Sequence, residues 1–360
     1  MIHKSVNCMK REESWDFVKM ILMFFIVFGH ICPSNPETWT PITRVIGLFA
    51  IPLFFFISGF FQSKVENVQA LANRFKRNFY RIVVPLLSWG LIYVIISAFI
   101  HFLDDVDHNI SDICQFFKYS PFYIMGIFWF LTALIFCQII GSILSIILYK
   151  KKKYGFILLV ISFPFFCLLP PTLLEHYHFS FVWLFYGLGM LYKQINRDLL
   201  CHSSNFFVPI ILAFLTIVIL CFGIQLMPNN TFYYRSNLVH ETSAGFIIQR
   251  FALYILVSFL MLYWLMQIYR YNSDRLLIKK LASWGVDTLF IYCSHVMILV
   301  FIYRPYLLPY LLHEENSICR SLEEHIVGFF ISVVLYWGLQ NVCSYCKRYK
   351  CVKILLMGVK

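Results

Sequence analysis

Long apolar runs, each about as long as a bilayer is thick and joined by short polar connectors, decide what this chain can fold into. A helix needs about 20 residues to cross roughly 30 Å of hydrocarbon. Hydropathy marks such runs near residues 16–32, 41–61, 82–102, 122–148, 154–170, 178–192, 206–227, 250–270, 281–303 and 325–345. The expected fold class is all-α: a polytopic integral membrane protein of about ten transmembrane helices, the fifth and sixth short. Composition points the same way, since 60% of the 360 residues are hydrophobic and 13% charged, with a mean hydropathy of +0.72. Soluble domains carry about 25% charged residues.

The connectors alternate in charge. Basic residues fill one set: Lys4, Lys10 and Arg11; Lys64, Arg74, Lys76, Arg77 and Arg81; Lys150 to Lys153; Lys193 and Arg197; Arg270, Arg275, Lys279 and Lys280; Lys347, Arg348, Lys350 and Lys353. The intervening set holds Glu37, then Asp104, Asp105, Asp107 and Asp112, then Glu175, Glu241, and finally Glu314, Glu315, Glu323 and Glu324. Basic connectors stay cytoplasmic, so both termini are expected inside, N-in and C-in. The first run lacks a small-residue cleavage site and is expected to be a retained span rather than a signal peptide. The outer connectors, about 103–121, 228–249 and 304–324, are too short for a soluble domain. The chain therefore reads as one membrane domain over 1–360, with a cytoplasmic segment at 1–15, a transmembrane core at 16–345 and a cytoplasmic tail at 346–360.

The net charge of +12 is spread over these connectors and reads as topology and contact with membrane lipids, not as a nucleic-acid surface. The twelve cysteines are mostly single residues in apolar runs, such as Cys137, Cys167, Cys221 and Cys293, where they serve as small apolar filler. Cys343 and Cys346 form the one close pair. Lys347, Arg348 and Lys350 follow it, and it reads as the inner end of a helix rather than a zinc or redox site. No metal is expected.

Chemistry must then lie between helices or at their ends, and intramembrane ionisable residues are the first place to look, because each is costly to insert. Lys19 and His30 stand eleven residues apart in the first run, which is three turns, one face and roughly 16 Å. Asp16 precedes Lys19 by three residues, a spacing that permits a helix pair, and Ser14 can cap the helix start. The second run descends, so Arg44 falls near the height of His30 and Ser58-Gly59 near that of Lys19. Two layers result. The inner layer holds Lys19, Ser58, Gly59 and the run Arg74, Lys76, Arg77 and Arg81, suited to an anion arriving from the cytoplasm. The outer layer holds His30, Arg44, Trp129 and His295, with Glu175, His176 and His178 at the mouth of the sixth run. Histidine is the usual general base near neutral pH. A bland role stands beside each: topology for the basic run, snorkelling for Arg44, an interhelical hydrogen bond for His295, His176 and His178, and an inner-half polar contact for Asp287.

Six stretches in order along the chain, WDFVKMILMFFIVFGH (15–30), PLFFFISGFF (52–61), RFKRNFYRIVVPLLSW (74–89), FWFLTALIFC (128–137), FYGLGMLYK (185–193) and SWGVDTLFIYCSH (283–295), resemble the membrane acyltransferase-3 family. The likeness is strongest to its surface-sugar O-acetylating branch, including fucose 4-O-acetylase-like proteins. The resemblance implies a ten-helix acyltransferase core, an acyl-CoA donor bound from the cytoplasm, a glycan acceptor and a bacterial inner membrane. The family hallmark is an arginine, ten residues, then a histidine. Lys19 takes the first position here, as in the sugar-modifying branch, keeping the charge but not the bidentate geometry. The resemblance carries the catalytic role to His30 and the family's SGF element to Ser58-Gly59.

Together these readings give an O-acetyltransferase that has no bound cofactor and uses acetyl-CoA, or another acyl-CoA, as donor substrate. Lys19, Ser58, Gly59, Arg74, Arg77 and Arg81 are expected to meet the donor. Its extended arm reaches toward His30, and Arg44, Trp129 and His295 face a surface glycan or lipid-linked oligosaccharide. His30 acts as general base or carries the acetyl group itself. The rival reading is a polysaccharide exporter or flippase related to the same family, in which the two polar layers line a pathway.

Overall fold

The computed structural model describes residues 13–31, 41–104, 127–150, 179–195, 244–307 and 318–358, with short pieces at 157, 161–162, 211–212 and 214–218. Among the described residues every regular element is a helix. The helices are α1 (Glu13–Ile31), α2 (Pro41–Phe60), α3 (Val68–Asn78), α4 (Val84–Asp104), α5 (Trp129–Lys150), α6 (Phe179–Ile195), α7 (Ala244–Asn272), α8 (Leu276–Trp284), α9 (Thr288–Ile298), α10 (Ile318–Cys346) and α11 (Lys350–Met357). A π-helical turn, Phe79–Val83, joins α3 to α4, and a second π-helical segment, Leu299–Leu307, continues α9.

Among these residues six helices are long and apolar enough to cross a membrane: Glu13–Ile31, Val68–Ile100, Trp129–Ile147, Phe251–Asn272, Leu276–Leu307 and His325–Cys346, with Val45–Phe60 a shorter apolar helix. The protein is a polytopic integral membrane protein, all-helical among the described residues. The expected fifth run lies almost wholly outside the described residues, and the seventh is described only in part. Lipid-facing positions such as Leu87, Leu91, Ile95, Phe99, Phe330 and Val334 leave their side chains exposed, as expected where the solvent is hydrocarbon. Helix α1 begins at Glu13, so Ser14 sits inside the first turn instead of preceding it.

Helix α1 is central. Val18, Leu22 and Val27 are fully buried, and α1 packs against α2, α7, α8, α9 and α10. Lipid offers no hydrophobic drive for helices to pair, so close packing through small residues does that work. Gly59 on α2 and Gly189 on α6 allow one such approach. A Cβ on Gly59 would fall closer than 3.0 Å to the Tyr186 carbonyl, and one on Gly189 would do the same to the Phe56 carbonyl. Gly285 similarly lets the turn before α9 sit on the Asp16 backbone.

Tertiary contacts sort the helix ends into two groups. At one end Trp15 stacks on Phe60 at 4.6 Å, Tyr269 donates to Glu13 at 3.1 Å and Lys347 pairs with Asp287 at 2.6 Å. Gly358 there abuts the Arg81 backbone in a left-handed cap to α11, with φ of +65°. The starts of α1, α4 and α9 thus meet the ends of α2, α7 and α10. Among the described residues, this end carries the basic groups of the connectors. The opposite end carries His30 and the π-helical segment after α9.

Candidate functional site

Two polar clusters occupy the two ends of the bundle. At the basic end α2 stops after Phe60, and the chain turns through Gln62, whose buried side chain becomes a hub. Its Nε2 donates to Ser142 Oγ on α5 at 3.0 Å. Its Oε1 accepts from Tyr186 Oη on α6 at 2.6 Å and from Arg74 Nη2 on α3. Its backbone carbonyl accepts from Lys193 Nζ at 2.9 Å. Four segments are thereby fixed around Arg74, which is only 8% exposed.

One nitrogen of Arg74 is used in this way. Nε and Nη1 are buried with no hydrogen-bond partner, as is Nδ2 of Asn78 one turn on. Buried guanidinium hydrogens left without acceptors are costly, and they suit an anion that arrives with its own oxygens. Arg77, exposed, donates to Ser63 Oγ at 3.2 Å. Arg81 lies in the π-helical turn, exposed, and its carbonyl sits under Gly358. Such turns inside helices often mark functional positions. Here the turn resets the helix face between the arginines and the apolar span that follows.

Lys19 pairs with Asp16 at 2.6 Å, with the carboxylate nearly buried and the ammonium partly exposed. The spacing-based expectation of a helix pair is met. Ser58 Oγ donates to its own helix at the Phe54 carbonyl, 2.8 Å away, and Gly59 gives its close approach to α6. Gly59 and Arg74 are linked through one residue, since the Tyr186 backbone abuts Gly59 while its hydroxyl holds the Gln62 side chain on Arg74.

At the opposite end His30 occupies the last turn of α1 and is exposed, whereas His295 on α9 is fully buried. Their ring centroids are 5.7 Å apart. The expected interhelical bond of His295 is an intrahelical one, with Nδ1 3.0 Å from the Ile291 carbonyl. Tyr303, from the π-helical segment, donates to the Ile31 carbonyl and so ties down the residue next to His30. Phe130 packs edge-on to Phe55 at 4.8 Å and lies 5.1 Å from Tyr292, joining α5 to the His295 helix. Trp129 stands beside it, half-buried. Arg44 lies in the first turn of α2, which starts at the His30 end. Glu175, His176 and His178 lie outside the described residues.

The structure therefore joins His30 to His295, and Arg74 and Arg77 to the corner after Ser58-Gly59. Sequence reasoning missed Gln62, Ser142, Tyr186 and the structural use of Lys193. It also missed His325, buried on α10 with its ring 6.3 Å from Phe28. A glutamine immediately past the end of the second apolar run was the one available signal for the hub. Among the described residues no group of three or more His, Cys, Asp or Glu could hold a metal ion. Cys343 and Cys346 sit at the end of α10, as expected.

The family model described as an acyltransferase domain matches residues 12–339, nearly the whole chain and both clusters. The chain belongs to the acyltransferase-3 family. It is also similar to the nodulation protein NolL of Sinorhizobium fredii (strain NBRC 101917 / NGR234), 25% identical over 212 residues, covering 56% of this chain and 55% of the relative. A second NolL, from Mesorhizobium japonicum (strain LMG 29417 / CECT 9101 / MAFF 303099), is 25% identical over 191 residues, or 51% of this chain and 48% of the relative. The chain spans about half the length of the curated relatives it matches. No solved structure matches. Among the described residues, His30 at the end of α1 and the arginines after α2 belong to the two polar clusters at the ends of the bundle.

Proposed function

We propose that this acyltransferase-3 protein moves an acetyl group from cytoplasmic acetyl-CoA to a hydroxyl of a surface polysaccharide or its lipid-linked precursor. The observation that carries the reading is the pairing of a basic cluster around buried Arg74 at one end of the bundle with an exposed histidine at the other. In this reading the protein has about ten spans, both termini are cytoplasmic, and the membrane is a bacterial inner membrane. Convergence of the basic connectors on one end supports that orientation.

The donor's phosphates bind at the basic end, where Arg74 and Arg77 supply planar N–H groups and Lys19 and Arg81 supply charge. Lys19 and His30 are roughly 16 Å apart along α1, about the reach of an extended pantetheine arm. The thioester then lies near His30. His30 takes the hydroxyl proton as the oxygen attacks the acetyl carbonyl. The C–S bond breaks as the C–O bond forms, and the proton passes from His30 to the departing thiolate. Arg44 and Trp129 face the acceptor sugar. Positioned general-base catalysis contributes about 10²- to 10⁴-fold, which sets the loss expected for His30→Ala.

Membrane vesicles of defined orientation provide the test. [14C]Acetyl-CoA supplied only to the cytoplasmic face labels the glycan with wild-type protein and not with His30→Ala. Glycan that crosses the membrane unlabelled, and still does so without His30, assigns the protein to export instead.

A further inference from the structure

At the His30 end, the side chain of His295 is fully buried. Its Nδ1 lies 3.0 Å from the Ile291 carbonyl. A carbonyl can only accept, so Nδ1 carries the hydrogen, and in the neutral ring Nε2 presents a bare lone pair. That Nε2 is buried with no hydrogen-bond partner. Leaving a buried acceptor unpaired is costly. Tyr292, 5.6 Å away between ring centroids, makes no hydrogen bond to it, and Tyr303 donates its own hydroxyl to the Ile31 carbonyl. The His30 ring lies 5.7 Å from the His295 ring, centroid to centroid, with the planes tilted by 37°, close to the separation at which ring edges can share an N–H to N bond.

Resting on the acyl-transfer reading, we propose that His295 is the positioning residue for His30, not a sugar contact. Its Nε2 accepts the ring N–H of His30 when the acceptor is bound, a contact of the kind that tightens only in the reactive complex. One hydrogen of His30 is then committed to His295, which leaves the other ring nitrogen unprotonated and directed at the incoming hydroxyl. The hydroxyl proton goes to His30 and on to the thiolate, and none passes to His295. When His30 becomes cationic in the transition state, the bond to the Nε2 lone pair becomes charge-assisted and strengthens. Burial gives His295 a fixed rotamer, and the Tyr303 bond to Ile31 holds the end of α1 against the same segment.

The experiment uses the full chain in membrane vesicles with [14C]acetyl-CoA, reading label in the glycan fraction. His295→Phe keeps an aromatic ring and removes the acceptor, whereas His295→Gln places an amide oxygen near the Nε2 position. We expect His295→Phe to lose about 10- to 100-fold in kcat, the scale of loss when the hydrogen-bond partner that orients a metal-bound histidine is removed, with KM for acetyl-CoA unchanged. His295→Gln should recover at least tenfold over His295→Phe at equal thermal stability. Near wild-type turnover by His295→Phe, or equal impairment of the two variants, overturns the positioning role while leaving the acyl-transfer reading intact. If wild-type protein itself transfers no label, the acyl-transfer reading falls and the positioning role with it.

Discussion

Replacing Gly59 with alanine adds a single methyl group where α2 and α6 run closest. The new Cβ would lie closer than 3.0 Å to the Tyr186 carbonyl, a backbone atom that cannot rotate away. Relief requires the two helices to part by more than an ångström, because ordinary contact starts near 3.4 Å. Overpacking of this kind costs about 1–3 kcal/mol, and a backbone clash within a helix pair belongs at the upper end. Gly189→Ala meets the Phe56 carbonyl in the same way. One separation relieves both clashes, so the double variant should be less destabilised than the sum of the singles by about 1 kcal/mol or more. The assay is a double-mutant cycle on purified protein in mixed micelles, followed by denaturant titration. Because Tyr186 also holds Gln62 on Arg74, displacement of α6 should raise KM for acetyl-CoA in parallel with the lost stability. A Gly59→Ala protein within 0.5 kcal/mol of wild type with a raised KM would refute the packing argument and make Gly59 a direct donor contact.

Three further outcomes follow from the clusters. Arg74→Met removes a buried guanidinium that is only partly satisfied, so stability should change by less than about 1 kcal/mol while KM for acetyl-CoA rises at least tenfold; thermal shift and initial rates check both. Lys19→Met takes the cation from a nearly buried Asp16 and should destabilise by about 1–3 kcal/mol. Adding Asp16→Asn should restore stability in a melt without restoring transfer. Gly285→Ala should disrupt the seat of α1 on the turn before α9, lowering the midpoint of thermal unfolding without altering KM in the protein that remains folded.

The spans were legible because apolar length and connector charge are direct consequences of the bilayer, and α1, α4, α5, α7, α9 and α10 lie where the runs place them. The Asp16–Lys19 pair was legible for a similar reason, since i,i+3 spacing fixes it within one helix. His30 and Arg74 stood out as charged or titratable groups beside apolar sequence. Their partners were hidden because nothing local joins Gln62 to Ser142, Tyr186 or Lys193, residues up to 131 positions away. The meeting of His30 with His295 depends equally on α1 packing against α9. Gly59 shows the limit from the other side. Its type signalled a close backbone approach correctly, but only the packing identified α6 as what approaches.

The central claim is acyl transfer dependent on His30, and the most direct measurement is the O-acetyl content of surface polysaccharide by NMR. Cells would carry wild-type protein or His30→Ala at matched expression. The account predicts loss of the acetyl signals in the variant with glycan export intact. Unchanged acetylation in the presence of His30→Ala would contradict it.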